Sequence, residues 1–192
     1  MKDSNTKQRL LDAALELFTG KGFAGASTRE IVERAGVTKP ALYYHFSSKE
    51  GLYRVLIEED FSRFNRALAG IARQPGAPEE KLTRVAAYNL EHCRRHPQEV
   101  KLTLMAFYRG DTFAPEVDIV SPARTSIEII AGIFREGMTA GVFRKSDPMK
   151  LSLFLMSVLH GQMMVIIKGA EGMPIARPEE IIKIFLGGIG KR

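Results

Sequence analysis

A chain of 192 residues with 45% apolar and 26% charged side chains can build a real core, and its net charge of +6 is too modest for a disordered polyelectrolyte. The single cysteine, Cys93, excludes an internal disulfide and a thiolate-based structural zinc site, and is expected of a reducing, cytoplasmic setting. The length suits a compact reader of about 50 residues plus a larger body, and the polar N-terminus does not read as a secretory leader.

Leu10, Leu11, Ala14, Leu17 and Phe18 recur at spacings of three and four, predicting a first helix from about Thr6 that Gly20 and Gly22 stop. Ser27 with Glu30 is a capping-box pattern opening a short second helix that turns Ile31, Val32 and Ala35 inward. Gly36 ends it where the chain needs a positive φ. Thr38 reads as an N-cap with Pro40 in the first turn of a third short helix over residues 39–46. Ser47 with Glu50 repeats the capping box and opens a long fourth helix to about Ala72. Residues 73–78 (Arg-Gln-Pro-Gly-Ala-Pro) are the clearest breaker in the chain.

Beyond the breaker, residues 79–96 and 98–108 read as helices separated by Pro97, and residues 110–120 as a loop. Ser121-Pro122 and Asp147-Pro148 each pair an N-cap with a proline in the first turn, opening helices to about Ala140 and Ala170. Pro178-Glu179-Glu180 opens a last helix ending at Gly187. Residues 151–167 are the most apolar stretch, but Ser152, Ser157, His160, Gly161 and Gln162 interrupt it, so it reads as a buried helix rather than a membrane span. With no alternating strand pattern, the expected fold is all-α with about nine helices. Residues 1–50 are expected to form a compact three-helix domain, and residues 51–192 a larger helical domain.

Two short helices joined at Gly36-Val37 and braced by an amphipathic helix are the parts of a helix-turn-helix, whose second helix lies in the major groove. The pattern alone is shared by many helical bundles. Charge placement strengthens it, because half of the net positive charge falls on residues 1–54 and no acidic residue lies between Glu33 and Glu50. Within that window Thr38, Lys39, Tyr43, Tyr44, His45 and Lys49 offer hydroxyls, cations and aromatic edges to a phosphate backbone, while Leu42 and Phe46 face inward. Other roles stay open: Tyr43 as half-buried packing, His45 as a cap or core histidine, Lys49 as ordinary surface charge.

Residues 10–52 resemble the TetR/AcrR regulator signature. The resemblance rests on Ala13-Ala14, Leu17-Phe18, Gly22-Phe23, Ser27-Thr28-Arg29-Glu30-Ile31, Ala35-Gly36-Val37-Thr38-Lys39, Leu42-Tyr43-Tyr44-His45-Phe46, Ser48-Lys49-Glu50 and Leu52. Gly141-Val142-Phe143-Arg144 before Asp147-Pro148 is a fainter echo. The family likeness would make residues 1–50 a helix-turn-helix DNA-binding domain and residues 51–192 a ligand-binding and dimerisation domain. The resemblance implies a cytoplasmic homodimeric repressor, without cofactor, metal or membrane partner, that binds palindromic double-stranded operator DNA and is released by a small apolar or amphipathic effector. Its half-sites would lie roughly 34 to 36 Å apart. DNA contacts would come from Ser27, Thr28, Arg29, Thr38, Lys39, Pro40, Ala41, Tyr43, Tyr44, His45 and Lys49. Arg29 and Lys39 would meet base edges or phosphates, Tyr43 and His45 phosphates, and Pro40 and Ala41 thymine methyls, with Lys49 clamping a phosphate. The effector would lie among Phe61, Phe64, Asn65, Leu68, Tyr88, Phe107, Tyr108, Phe134, Phe154 and Ser157, and Val158, Ile182 and Phe185 would meet the partner subunit.

Other signals carry less. His92 and His96 sit four apart with Cys93 between them, but no third metal ligand is evident. The glycine run at 187–190 neither follows a strand nor precedes a helix, so it is no phosphate cradle. No nucleophile elbow, Walker loop or paired-carboxylate motif points to an enzyme. A helical enzyme and a protein-interaction module, each with a degenerate reader, remain the alternatives.

Overall fold

The computed structural model describes residues 2–108, 110–170 and 172–187, with side-chain surroundings from Asn5 onward; the glycines at 188 and 190 lie outside the described residues. Nine α-helices are present among them: α1 (Lys2–Gly25), α2 (Thr28–Ala35), α3 (Lys39–Phe46), α4 (Lys49–Arg73), α5 (Pro78–Arg95), α6 (Pro97–Phe107), α7 (Val120–Thr139), α8 (Pro148–Lys168) and α9 (Pro178–Leu186). The chain divides into two compact units, Met1–Phe61 with Gln98–Ile119, and Ser62–Pro97 with Val120–Arg192. The N-terminal unit therefore runs past residue 50 and also takes in α6 from Gln98 and the segment after it.

Local chemistry explains most helix ends. At α2 the Glu30 amide donates to Ser27 Oγ (3.1 Å) and the Ser27 amide to Glu30 Oε2 (3.0 Å), the reciprocal box the sequence predicts. Asp147 caps α8 by accepting from the Met149 and Lys150 amides. Two details differ from expectation. The cap of α4 is Ser48, whose Oγ accepts from the Gly51 amide at 3.0 Å, while Ser47 takes φ 63° in the corner before it. The first helix bends at Gly22 (φ 75°) and resumes to Gly25, because a single residue in the left-handed region redirects the chain without ending the turn.

The first unit packs Leu10, Ala14, Phe18, Ile31, Leu42, Leu52, Tyr53, Ile57 and Leu102 into one core. Phe18, Phe23 and Tyr53 meet pairwise at 5.4 Å between ring centroids. α6 is held to this unit by polar ties as well, Lys101 Nζ donating to the Thr19 carbonyl (2.8 Å) and Thr103 Oγ1 to Asp60 Oδ2 (2.8 Å). The second unit centres on Leu68, Leu82, Val85, Leu90, Ile130, Phe134, Leu155, Leu159 and Ile182. Here Lys81, nearly buried, donates to both Glu136 oxygens at 2.8 and 2.9 Å. α8 is long and apolar enough to cross a membrane by length and composition, with mean hydropathy 1.6. Its Leu151, Leu155, Leu159 and Met163 are buried in the helical core.

Candidate nucleic-acid interface

The reader's shape is set by short-range bonds. Gly36 adopts φ 61° and ψ 39° after α2, and its amide donates to the Glu33 carbonyl while the Val37 amide donates to Val32. Arg9 of α1 reaches the same corner, donating to the Gly36 carbonyl at 3.1 Å. α3 then anchors itself by Leu42 and Phe46, both buried. Thr38 makes no side-chain cap bond, which leaves its hydroxyl at the exposed start of α3.

What α3 leaves outside matches the sequence expectation for most positions. Thr38, Lys39, Pro40, Tyr43 and Tyr44 are exposed, and Ala41 and His45 are half-buried. Tyr44 is 77% exposed and Tyr43 50%, although both are aromatic. No carboxylate pairs with Lys39 among the described residues. A cation and two phenols on an acid-free helix surface offer a polyanion charge attraction and hydroxyl donors together.

The flanking residues are less free. Arg29 is held by Glu33 one turn along α2, Nε to Oε1 at 2.7 Å, and that carboxylate pushes the guanidinium pKa up. Glu30 bonds Lys21 at 2.6 Å as well as the Ser27 amide and hydroxyl, which together hold its carboxyl at about 2. Ser27 is exposed and Thr28 half-buried at this edge. Lys49 has an occupation the sequence does not suggest. Its Nζ donates to the Phe23 and Ala26 carbonyls, both at 2.9 Å, and lies 4.0 Å from the centroid of the Phe23 ring. Two of its three N–H groups thus tie α4 to the end of α1, leaving one for a phosphate.

Sequence reasoning misses Asp111 altogether. The bend at Gly22 frees the Phe23 amide from the helix, and Asp111 Oδ2 accepts from it at 2.5 Å across 88 residues of sequence. Its Oδ1 takes the Phe113 amide at 3.1 Å. Burial, and then the neighbouring Asp111 charge, push the Tyr53 hydroxyl up to about 12. Beside this contact lies a half-open recess of about 270 Å³ lined in part by Tyr53, Phe107, Asp111, Glu116, Val117 and Ile119.

The expected ligand contacts divide between the units. Phe61 and Phe107 belong to the first unit, Phe107 on the recess, and Tyr108 is exposed there. In the second, Leu68 and Phe134 are fully buried, and Phe64 and Tyr88 pack with His92 at 5.6 to 5.7 Å. Asn65 is committed: its Nδ2 donates to the Pro122 carbonyl (2.9 Å) and its Oδ1 accepts from Ser126 Oγ (2.5 Å). Phe154 and Ser157 lie with Val158 on the exposed side of α8, not toward the core. Of the expected interface residues, Ile182 is only 1% exposed within its own chain and Phe185 packs on Phe134 at 6.0 Å; Ile184, 77% exposed, is a large apolar side chain that α9 leaves outward.

Among the described residues, α2 and α3 joined at the Gly36 corner and braced by α1, with an acid-free outer surface on α3, have the geometry of a helix-turn-helix. Residues 10–56 match the family model described as bacterial regulatory proteins, tetR family, and residues 78–164 one described as tetracyclin repressor-like, C-terminal domain. The HTH-type transcriptional regulator RutR of Escherichia coli (strain K12) is 30% identical over 152 residues, covering 77% of this chain and 69% of that protein. The HTH-type transcriptional repressor NicS of Pseudomonas putida is 27% identical over 142 residues, covering 72% of this chain and 66% of NicS. The match thus spans about two thirds of these relatives' own length. Among solved structures, SmeT of Stenotrophomonas maltophilia superposes with a TM-score of 0.79 at 21% identity, over 97% of this chain and 93% of SmeT. The chain belongs to the tetR family of bacterial regulatory proteins.

Proposed function

We propose that this chain is a cytoplasmic, ligand-responsive transcriptional repressor that binds palindromic operator DNA as a homodimer. The observation that carries the reading is the surface of α3, where Lys39, Tyr43 and Tyr44 stand exposed on a helix fixed from beneath by Leu42 and Phe46. Repression is inferred from the similarity to NicS, a transcriptional repressor. The partner is a second copy seated on the outer side of α8, where Leu153, Phe154 and Val158 form an exposed apolar stripe with Ser157 and Gly161 beside it; Ile184 of α9 is exposed as well. DNA contacts come from Arg29, Lys39, Tyr43, Tyr44 and His45, with Pro40 and Ala41 against thymine methyls. The effector, small and apolar or amphipathic, occupies the second unit.

Titration of duplex operator DNA at several salt concentrations tests this reading. Affinity falls steeply with salt, Lys39→Ala changes sequence preference, and Val158→Glu yields a monomer without specific binding. A monomeric Val158→Glu that kept full operator affinity refutes the dimeric reader. An effector that releases DNA does so with a coupling on the order of 5- to 150-fold, and operator DNA weakens the effector by the same factor.

A further inference from the structure

The buried face of α5 is built from Leu82, Val85, Ala86, Leu90 and Cys93, all fully enclosed, and an amide stands in the middle of it. Asn89 is 1% exposed, and among the described residues neither its Nδ2 nor its Oδ1 has a hydrogen-bond partner. Several other buried polar groups of the second unit are matched, Lys81 by Glu136, Ser126 by Asn65 and Ser152 by the Pro148 carbonyl; Arg84 Nε is also unmatched, but its guanidinium is held through Nη2 on the Pro75 carbonyl, whereas Asn89 has no bond at either end. A carboxamide has two donors and an acceptor to satisfy, and enclosing all of them unbonded costs the fold stability that an apolar side chain of similar volume would not. On the helix surface Asn89 is flanked one turn on by His92, itself buried, whose ring clusters with Phe64 and Tyr88. The Cys93 thiol, a full turn along the same face, lies 3.8 Å from the Met163 carbonyl of α8.

We propose that Asn89 is the polar anchor of the effector, and that the effector presents a neutral amide or lactam edge on a small planar body. An amide edge offers a carbonyl and an N–H side by side, the complement of Asn89's own pair, and the neighbouring rings favour a flat partner. A carboxylate fits worse, because it can accept from Asn89 Nδ2 but has no N–H to give to Oδ1, and Lys81 of this unit is already held by Glu136. The assignment rests on the ligand-responsive reading above.

The experiment compares the full-length chain with Asn89→Leu, using benzamide as probe and toluene as the same ring without the amide. Calorimetric titration is expected to show benzamide binding the wild-type chain roughly tenfold or more tighter than Asn89→Leu, with toluene binding both alike. Without ligand, Asn89→Leu melts at or above the wild-type temperature. A variant that melts well below it shows that the amide is satisfied by an internal water and is structural, which overturns the proposal. So does benzamide binding no tighter than toluene, or equally to both chains. Should the variant fail to fold, the wild-type Asn89 side-chain amide resonances decide: they move with benzamide and not toluene, or the proposal fails. Duplex DNA binding is measured on the same preparations. Its absence sinks the regulator reading alone, whereas normal DNA binding with no benzamide preference sinks the anchor alone.

Discussion

The two units differ in how completely their polar groups are satisfied. In the first, polar groups near the reader are tied down: Lys49 on two carbonyls, Asp111 on the Phe23 amide, Arg9 on the Gly36 carbonyl and Lys101 on Thr19. In the second, Lys81 and Asn65 are equally committed, yet Asn89 is enclosed with both heteroatoms unmatched. A surface that must match the fixed repeat of a duplex gains from bonds that leave its helices one arrangement. A body that must accept a guest gains from a polar group whose partner is still to come. A unique reader and a receptive interior are different demands, and the distribution of satisfied groups separates them.

The sharpest challenge to this contrast is to loosen the first unit. Phe18 is fully buried against Phe23 and Tyr53, so Phe18→Ala removes a ring from the centre of the reader and is expected to cost about 3 to 5 kcal/mol, read by urea denaturation. A cost under about 1 kcal/mol would mean that the reader is not rigidly packed. Lys49→Met comes next. It keeps the stem over Phe23 and removes two charge-assisted bonds at a partly exposed site, for an expected loss of about 1 to 2 kcal/mol after solvent screening. The same variant divides Lys49's two occupations: a slope of log affinity against log salt that falls by about one marks a phosphate contact, and an unchanged slope marks a purely structural tie.

How much of this is legible in the sequence follows from the range of the interactions. The α2 box, the Gly36 corner and the Asp147 cap are written within four residues, and the structure has all three. Ser47 and Ser48 both suit a cap, and only the backbone decides: Ser47 takes the left-handed corner and Ser48 the cap. Tyr43 and Tyr44 are readable as surface residues because Leu42 and Phe46 claim the inner face at a spacing of four. Asp111 is not readable, since nothing near it announces a partner 88 residues away. Asn65 and Asn89 show the limit best. Both are amides on apolar helix faces; one is tied to Pro122 and Ser126 on another helix and the other to nothing among the described residues, a difference set by tertiary neighbours. Ile182 misleads for the same reason, because one chain already hides it.

Asp111→Asn tests whether a distant bond fixes the end of α1. The amide keeps the shape but weakens the acceptor, and the group is partly buried, so a loss of about 1 kcal/mol is expected from thermal denaturation. Tyr53 supplies an internal check. Its hydroxyl stands at about 12 through burial first and the Asp111 charge second, so the variant's tyrosinate titration shifts down but stays above the ordinary value of 10. No movement of that titration would separate Asp111 from Tyr53 electrostatically.

The smallest effect expected is in acid, where two groups, one in each unit, lose their contributions to stability in different windows. Glu30 in the first unit is held at about 2, below its usual 4.5, mainly by Lys21 and then by the Ser27 amide and hydroxyl. A depressed carboxyl stabilises the fold while ionised, so its contribution is complete above 4.5 and disappears as pH falls toward 2. His160 in the second unit is depressed below its usual 6.5 by burial. The unfolded chain then binds the proton first, so stability is complete above 6.5 and declines as pH drops until the folded ring itself takes up a proton. Thermal midpoints measured across pH therefore show a shallow decline setting in below 6.5 that His160→Gln flattens, and a separate one below 4.5 that Glu30→Gln reduces, its amide oxygen still accepting from Ser27, while Glu50 and Glu180, also depressed below 4.5, sustain the remainder. Because Glu30 is exposed, its limb also shrinks in high salt, whereas the His160 limb, caused by desolvation rather than by a partner's charge, persists. Two limbs with the same salt response would contradict the assignment of one to a surface ion pair and the other to burial.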